Sequence, residues 1–226
     1  MIDTVAFDFV NTLAFQSPKR EDIIYDFLAT KALKTEKREI LASLKVADNE
    51  CHYSCFKIID DDSRKEFFQE YNRVLLEKLE VDFTKKNCSD LYDYYDKTHK
   101  EWILHEGAIE TMVLLKEQGI SVGIISNFER ELETKLADQL GLTKHINFLV
   151  VSGCIGFEKP DIKFYEYAIK NNQLTPNNTL YIGDSYVLDY LPGRKVGFNC
   201  YLFDKNNLHP DIPNRIYNLR EVLKII

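Results

Sequence analysis

The sequence predicts an α/β fold: a doubly wound, Rossmann-like parallel sheet with an inserted helical domain. Three observations predict it. The chain opens on a short Val- and Phe-rich run that ends on an acid, "VAFDF" at 5–9. From Gly107 onward, short apolar runs alternate with amphipathic stretches, the pattern of successive βαβ units. Between these parts, residues 21–100 contain no glycine and repeat their apolar residues at helical spacing.

Taken in order, residues 2–9 read as the first strand. The helical block follows, with apolar positions at Ile23, Ile24, Phe27 and Leu28, then Ile40, Leu41 and Leu44. Phe67, Phe68, Tyr71, Val74, Leu75 and Leu79 continue it, and Leu91, Tyr94, Tyr95 and Trp102 close it. Ser63 stands three residues before Glu66, a capping-box pattern that predicts a helix start. "AIETMVLLKEQG" predicts a helix stopped by Gly119, and "ISVGIISN" a strand. "RELETKLADQLG" reads as a helix, "INFLVVS" as a strand and "IKFYEYAIKNN" as a helix. "TLYIGDS" and "NCYLFD" are strands separated by "GRKVG", and "NLREVLKII" predicts a closing helix. The expected division is an α/β core, residues 1–14 and 104–226, with a helical domain at 15–103.

Composition narrows the function classes. With 226 residues, 45% of them hydrophobic, the chain can bury a substantial core. Thirty-six acids against 29 bases give a net charge of −7, which argues against binding nucleic acid or an anionic membrane surface. No run approaches the roughly 20 apolar residues of a membrane span. The first residues, "MIDTVAFDF", lack the basic start of a signal peptide. Five cysteines, an odd number, suit reduced thiols, so a soluble cytoplasmic protein is expected. "CHYSC" at 51–55 has no second Cys/His pair at zinc spacing, and reads as one face of a helix.

Four polar stations fall at strand ends or helix starts of the expected core: Asp8, Ser126-Asn127, Lys159, and Gly183-Asp184 with Asp189. In a doubly wound sheet the loops beyond the carboxyl ends of the strands build the site. Asp8, Asp184 and Asp189 would repel one another unless a cation lay between them, and hard carboxylate oxygens suit Mg²⁺. Lys159 and the Ser126 hydroxyl could then hold phosphate oxygens while Asp8 attacks phosphorus.

These stations resemble the motifs of the haloacid dehalogenase superfamily of hydrolases. The first motif reads Asp8-Phe9-Val10-Asn11-Thr12-Leu13, where the family usually has Asp, any residue, Asp, Gly, Thr and Leu or Val. Ile124-Ile125-Ser126-Asn127 matches the second, Lys159-Pro160-Asp161 the third, and Gly183-Asp184 with Asp189 the fourth. The helical block is similar to the family's first class of cap. "IISNFERELE" and "GDSYVLDYLPGRKVG" are most similar to the subgroup typified by haloacid dehalogenase-like hydrolase domain-containing protein three, which also lacks the usual second Asp. The resemblance implies Asp8, Ser126 and Lys159 as catalytic residues. It implies phosphate contacts from Ser126, Asn127 and Lys159. It implies Mg²⁺ on Asp8, Asp184, Asp189 and the backbone carbonyl of Val10, and a small phosphorylated substrate. A protein partner stays open.

Val10 is the departure that matters. In family phosphatases the second Asp protonates the leaving alcohol and later activates water, work that typically supplies about 10²–10⁴-fold. Val10 keeps a carbonyl for metal and has no acid. The expectations are therefore a slow or unusual phosphatase, or a pseudophosphatase that binds a phosphorylated ligand or a protein. Dehalogenase chemistry is disfavoured by the fourth-motif acids. Phosphonatase chemistry needs a cap lysine, and Lys31, Lys34 and Lys57 are not distinguished by context. Phosphomutase chemistry relies on the missing Asp. His99 and His105 could replace it by residue type alone. Lys19 and Arg20 could meet an anionic substrate but read rather as a solvated loop tip, and Tyr92, Tyr94, Tyr95 and Trp102 read as an aromatic cluster of helix packing rather than of substrate stacking.

Overall fold

Val5, Ala6 and Phe7 are wholly buried, which explains why the first strand is apolar on both faces. The computed structural model describes residues 1–51 and 61–226. Cys55, His52 and Lys57, which bear on the thiol and lysine expectations above, lie outside the described residues. The chain divides into two units, Met1–Phe15 with Trp102–Ile226, and Gln16–Glu101.

The first unit is built on β1 (Thr4–Phe7), with β2 (Ala14–Ser17) starting in it. The second unit carries α1 (Arg20–Thr30), α2 (Lys37–Glu50), α3 (Asp61–Lys78) and α4 (Lys85–Lys97), and β3 (Glu101–Leu104) leads out of it. The remainder of the first unit holds α5 (Ala108–Glu117), β4 (Ser121–Ser126), α6 (Ala137–Gln139), β5 (Phe148–Val151) and α7 (Ser152–Ile155). It continues through α8 (Ile162–Asn171), β6 (Thr179–Gly183), α9 (Leu191–Lys195), β7 (Asn199–Phe203) and β8 (Arg215–Ile216).

The main sheet runs β5-β4-β1-β6-β7-β8, with every pairing parallel. Side chains alternate between two cores. Val5, Phe7, Ile124 and Ile182 face one, with Met112 and Leu115 of α5. Ala6, Ile125 and Tyr181 face the other, with Phe164, Tyr165 and Ala168 of α8. Each fully buried Val or Phe contributes roughly 1.5–3 kcal/mol. The strand order reverses at β1, which pairs with β4 on one side and β6 on the other. That switch point is where a doubly wound sheet opens a crevice.

The helical unit has its own core, from Ile24, Phe27 and Leu28 of α1 to Cys88 and Leu91 of α4. Several expectations change here. Helix α3 already runs at Asp61, so Ser63 lies inside it and does not cap it. Leu41 is exposed. Among the described residues the three tyrosines pack on different neighbours. Tyr94 packs on Phe27, Tyr92 packs on Phe68, and the Tyr95 hydroxyl donates to Gln16. Tyr94 stands two residues from Tyr92 and one from Tyr95, so it points in a different direction from both. Trp102 lies on β3 and, within the first unit, packs against Phe9 and Phe128. Arg20 is no loop tip. It begins α1, and its guanidinium donates to both Asp48 oxygens at 2.9 and 2.8 Å. Lys31 pairs with Asp90.

At the chain's end, "NLREVLKII" forms a 3₁₀ helix, Leu219–Lys224, with Leu219 and Val222 buried. The segment after Arg130 takes a π-helical turn, Leu132–Leu136, before α6. Cys51, Cys88, Cys154 and Cys200 are free thiols. Among the described residues no helix is long and apolar enough to cross a membrane.

Candidate active site

Asp8 follows the last residue of β1, and its N–H donates to the Ile182 carbonyl of β6 at 2.8 Å. Register places Phe7 opposite Ile124 and Ile182, so the ends of β4 and β6 flank it. Ser126 ends β4, and Asp184 follows β6. Thus three stations meet because three neighbouring parallel strands end together. Lys159 arrives on the loop before α8, whose N-terminus is capped by the Asp161 side chain. Asp189 lies on a π-helical turn, Tyr186–Tyr190, after β6.

The geometry is tight. Lys159 Nζ donates to Asp8 Oδ1 and to Asp189 Oδ1, both at 2.6 Å. Ser126 Oγ donates to Asp8 Oδ1 at 3.0 Å, and Thr12 Oγ1 to Asp8 Oδ2 at 3.4 Å. The Ser185 N–H donates to Asp189 Oδ2 at 3.0 Å. Asp8, Ser126, Lys159 and Asp189 are all buried. Gly183 is required where it stands: a Cβ there would lie 2.3 Å from the Asp189 carboxyl carbon.

Electrostatics follow from this burial. Desolvation, aided by the Asp189 charge and opposed by Lys159, pushes the Asp8 carboxyl up to about 6. Burial works against the Lys159 charge, yet Asp189 and Asp8 outweigh it and hold its pKa above the usual lysine range. One carboxylate oxygen from each of Asp8, Asp184 and Asp189 lies within 4.8 Å of the others. Three carboxylates against one ammonium leave excess negative charge among hard oxygen donors. This donor set fits Mg²⁺.

Asn127 is tied to Lys159: its Nδ2 donates to the Lys159 carbonyl at 2.9 Å and its Oδ1 accepts the Lys159 N–H at 2.7 Å. Val10 is half-buried and packs against the core that holds Phe7 and Phe9. Asn11, where a glycine is usual in the family, has φ of 60°, the left-handed region that Asn tolerates better than most residues. His105 lies tilted against Phe15 and edge-on to Phe203, and His99 is largely exposed beside Glu101. Sequence reasoning missed Tyr181. Its hydroxyl accepts from Lys159 Nζ at 2.9 Å and lies 2.9 Å from Asp189 Oδ1. A tyrosine inside "TLYIG" carries no signal beyond strand and core.

The haloacid dehalogenase-like hydrolase family model matches residues 23–203. This chain belongs to that family. The match begins after the first motif, so Asp8 and Val10 lie outside it. Haloacid dehalogenase-like hydrolase domain-containing protein 3 of Xenopus laevis is 30% identical over 141 residues, 62% of this chain and 55% of that protein. Glyceraldehyde 3-phosphate phosphatase of Methanothermobacter thermautotrophicus is 26% identical over 125 residues, 50% of this chain and 55% of that protein. The chain thus spans about half the length of the curated relatives it matches. The magnesium-bound HAD-hydrolase YfnB of Bacillus subtilis shares the fold, with a TM-score of 0.66 and 19% identity over 99% of this chain and 98% of that one.

Proposed function

We propose that this family member is a Mg²⁺-dependent phosphatase of small phosphorylated metabolites, acting through an aspartyl-phosphate on Asp8. We read residues 15–103 as its cap. The observation that carries the reading is the Asp8 carboxylate held by Ser126 and Lys159 with Asp184 and Asp189 beside it. The phosphatase named above and the magnesium of YfnB support it.

The Asp8 carboxylate is the nucleophile, its charge faced by the Lys159 ammonium at 2.6 Å. One of its oxygens attacks phosphorus, and the bond from phosphorus to the leaving oxygen breaks with its electron pair on that oxygen. Lys159 offsets charge on the nucleophile, and the Ser126 hydroxyl turns from Asp8 to a phosphate oxygen. Asp8, Asp184, Asp189 and the Val10 carbonyl would hold Mg²⁺, which when bound neutralises phosphate charge. Val10 cannot protonate a leaving group. Acyl and aryl phosphates therefore react, because their leaving groups depart unaided, while alkyl phosphates do not.

Val10 also favours a second reading, a pseudophosphatase that binds a phosphorylated ligand or protein without turnover. A panel of aryl, acyl and alkyl phosphates, assayed on wild type, Asp8→Asn and Val10→Asp, separates the two. Turnover of aryl or acyl substrates lost in Asp8→Asn supports the phosphatase. Wild type equal to Asp8→Asn on every substrate, with activity gained in Val10→Asp, supports the binding module.

A further inference from the structure

Lys159 has three ammonium protons and no acceptor capacity. Two go to Asp8 and Asp189 at 2.6 Å. The third goes to the Tyr181 hydroxyl at 2.9 Å. All three donors are used inside the protein, and the side chain is buried. The Tyr181 hydroxyl has one proton of its own and two acceptors in reach, Asp189 Oδ1 at 2.9 Å and the Ile125 carbonyl at 3.1 Å. The charged oxygen is the stronger acceptor. Tyr181 thus closes a ring: Lys159 gives to Tyr181, Tyr181 gives to Asp189, and Lys159 gives to Asp189.

The ring of Tyr181 cannot easily move. It is fully buried on β6, edge-on to Tyr165 at 5.8 Å and tilted against Phe198 at 6.0 Å. Tyr165 is pinned in turn by its hydroxyl, which donates to the Leu188 carbonyl. A rigid aromatic stem therefore presents one oxygen to a flexible lysine tip. Packing alone would be served equally by phenylalanine. The hydroxyl is what this position adds.

We propose that Tyr181 is a positioning residue, whose hydroxyl holds the Lys159 ammonium where it bridges Asp8 and Asp189. Without it, one ammonium proton and one Asp189 lone pair lose their partner in a buried site, and Lys159 turns about the two carboxylate bonds that remain. The catalytic consequence rests on the phosphatase reading above; the positioning itself does not.

The test uses the full chain, free of divalent cations, labelled with ¹⁵N at lysine side chains. Wild type is expected to show one ammonium signal protected from solvent exchange, absent from Lys159→Met. In Tyr181→Phe that signal is expected to broaden or vanish, while the backbone amide spectrum of the fold is retained. On the best phosphate ester of the panel, kcat is expected to fall about tenfold in Tyr181→Phe, as for one hydrogen bond to a charged group, with KM nearly unchanged. An unchanged protected signal in Tyr181→Phe overturns the proposal, as does the lack of any such signal in wild type. If no phosphate ester is turned over by wild type, the phosphatase reading falls and the ammonium signal still decides this one.

Discussion

The side chain of Asn127 and the backbone of Lys159 are joined by a reciprocal pair of hydrogen bonds, at 2.9 and 2.7 Å. The residue after β4 thereby sets the height at which the lysine loop meets the site. The Lys159 backbone would lose both partners in Asn127→Ala, at a cost on the order of 1–3 kcal/mol. Denaturant unfolding is expected to show that loss, with Asn127→Asp, which keeps only the acceptor, also less stable than wild type. An Asn127→Ala protein as stable as wild type contradicts this role.

Metal addition should stabilise the fold. Asp8, Asp184 and Asp189 bring three carboxylate oxygens within 4.8 Å, and Mg²⁺ bound there favours the native state. At a hundredfold excess over its dissociation constant the gain is about 2.7 kcal/mol. A thermal melt with Mg²⁺ is expected to rise for wild type and to stay flat for Asp184→Asn. Identical responses from the two proteins would remove the metal site.

Glu158 supplies a pH dependence apart from the metal ligands. Burial pushes its carboxyl from 4.5 up to about 7. A raised folded pKa means the native state binds the proton more tightly than the unfolded chain. Its contribution is full below about pH 4.5 and is lost as pH rises through 7. Glu158→Gln, uncharged throughout, is therefore expected to melt higher than wild type at pH 8 and to lose that advantage at pH 5. Equal differences at both pH values contradict the assignment.

Much of the sheet could be read from the chain because its strands are buried on both faces and so run apolar: Val5–Phe7, Val122–Ile125 and Leu180–Ile182. The polar stations were legible for the same reason, since an acid or serine closing such a run has few structural uses. Trp102 was misread because β3 is four residues long, with alternate residues exposed, and continues the helical spacing of α4. The terminal 3₁₀ helix shares its apolar spacing with an α-helix over so short a span. Tyr181 was invisible for a different reason. Strand periodicity tells which face a residue takes, and tells nothing of what its hydroxyl meets at the far end of the ring. Asn11 was legible only as a departure from glycine; its φ of 60° gives the reason it is tolerated.

The central claim is that Asp8 takes the phosphoryl group and that Val10 leaves the second step without its acid–base. Acid quench and proteolysis followed by peptide mass spectrometry, on protein mixed with an aryl phosphate and Mg²⁺, tests it most directly. The expected result is a gain of one phosphoryl group on the peptide containing Asp8, absent in Asp8→Asn and shorter-lived in Val10→Asp. Turnover that persists in Asp8→Asn, with no phosphoryl group on that peptide in wild type, would contradict it.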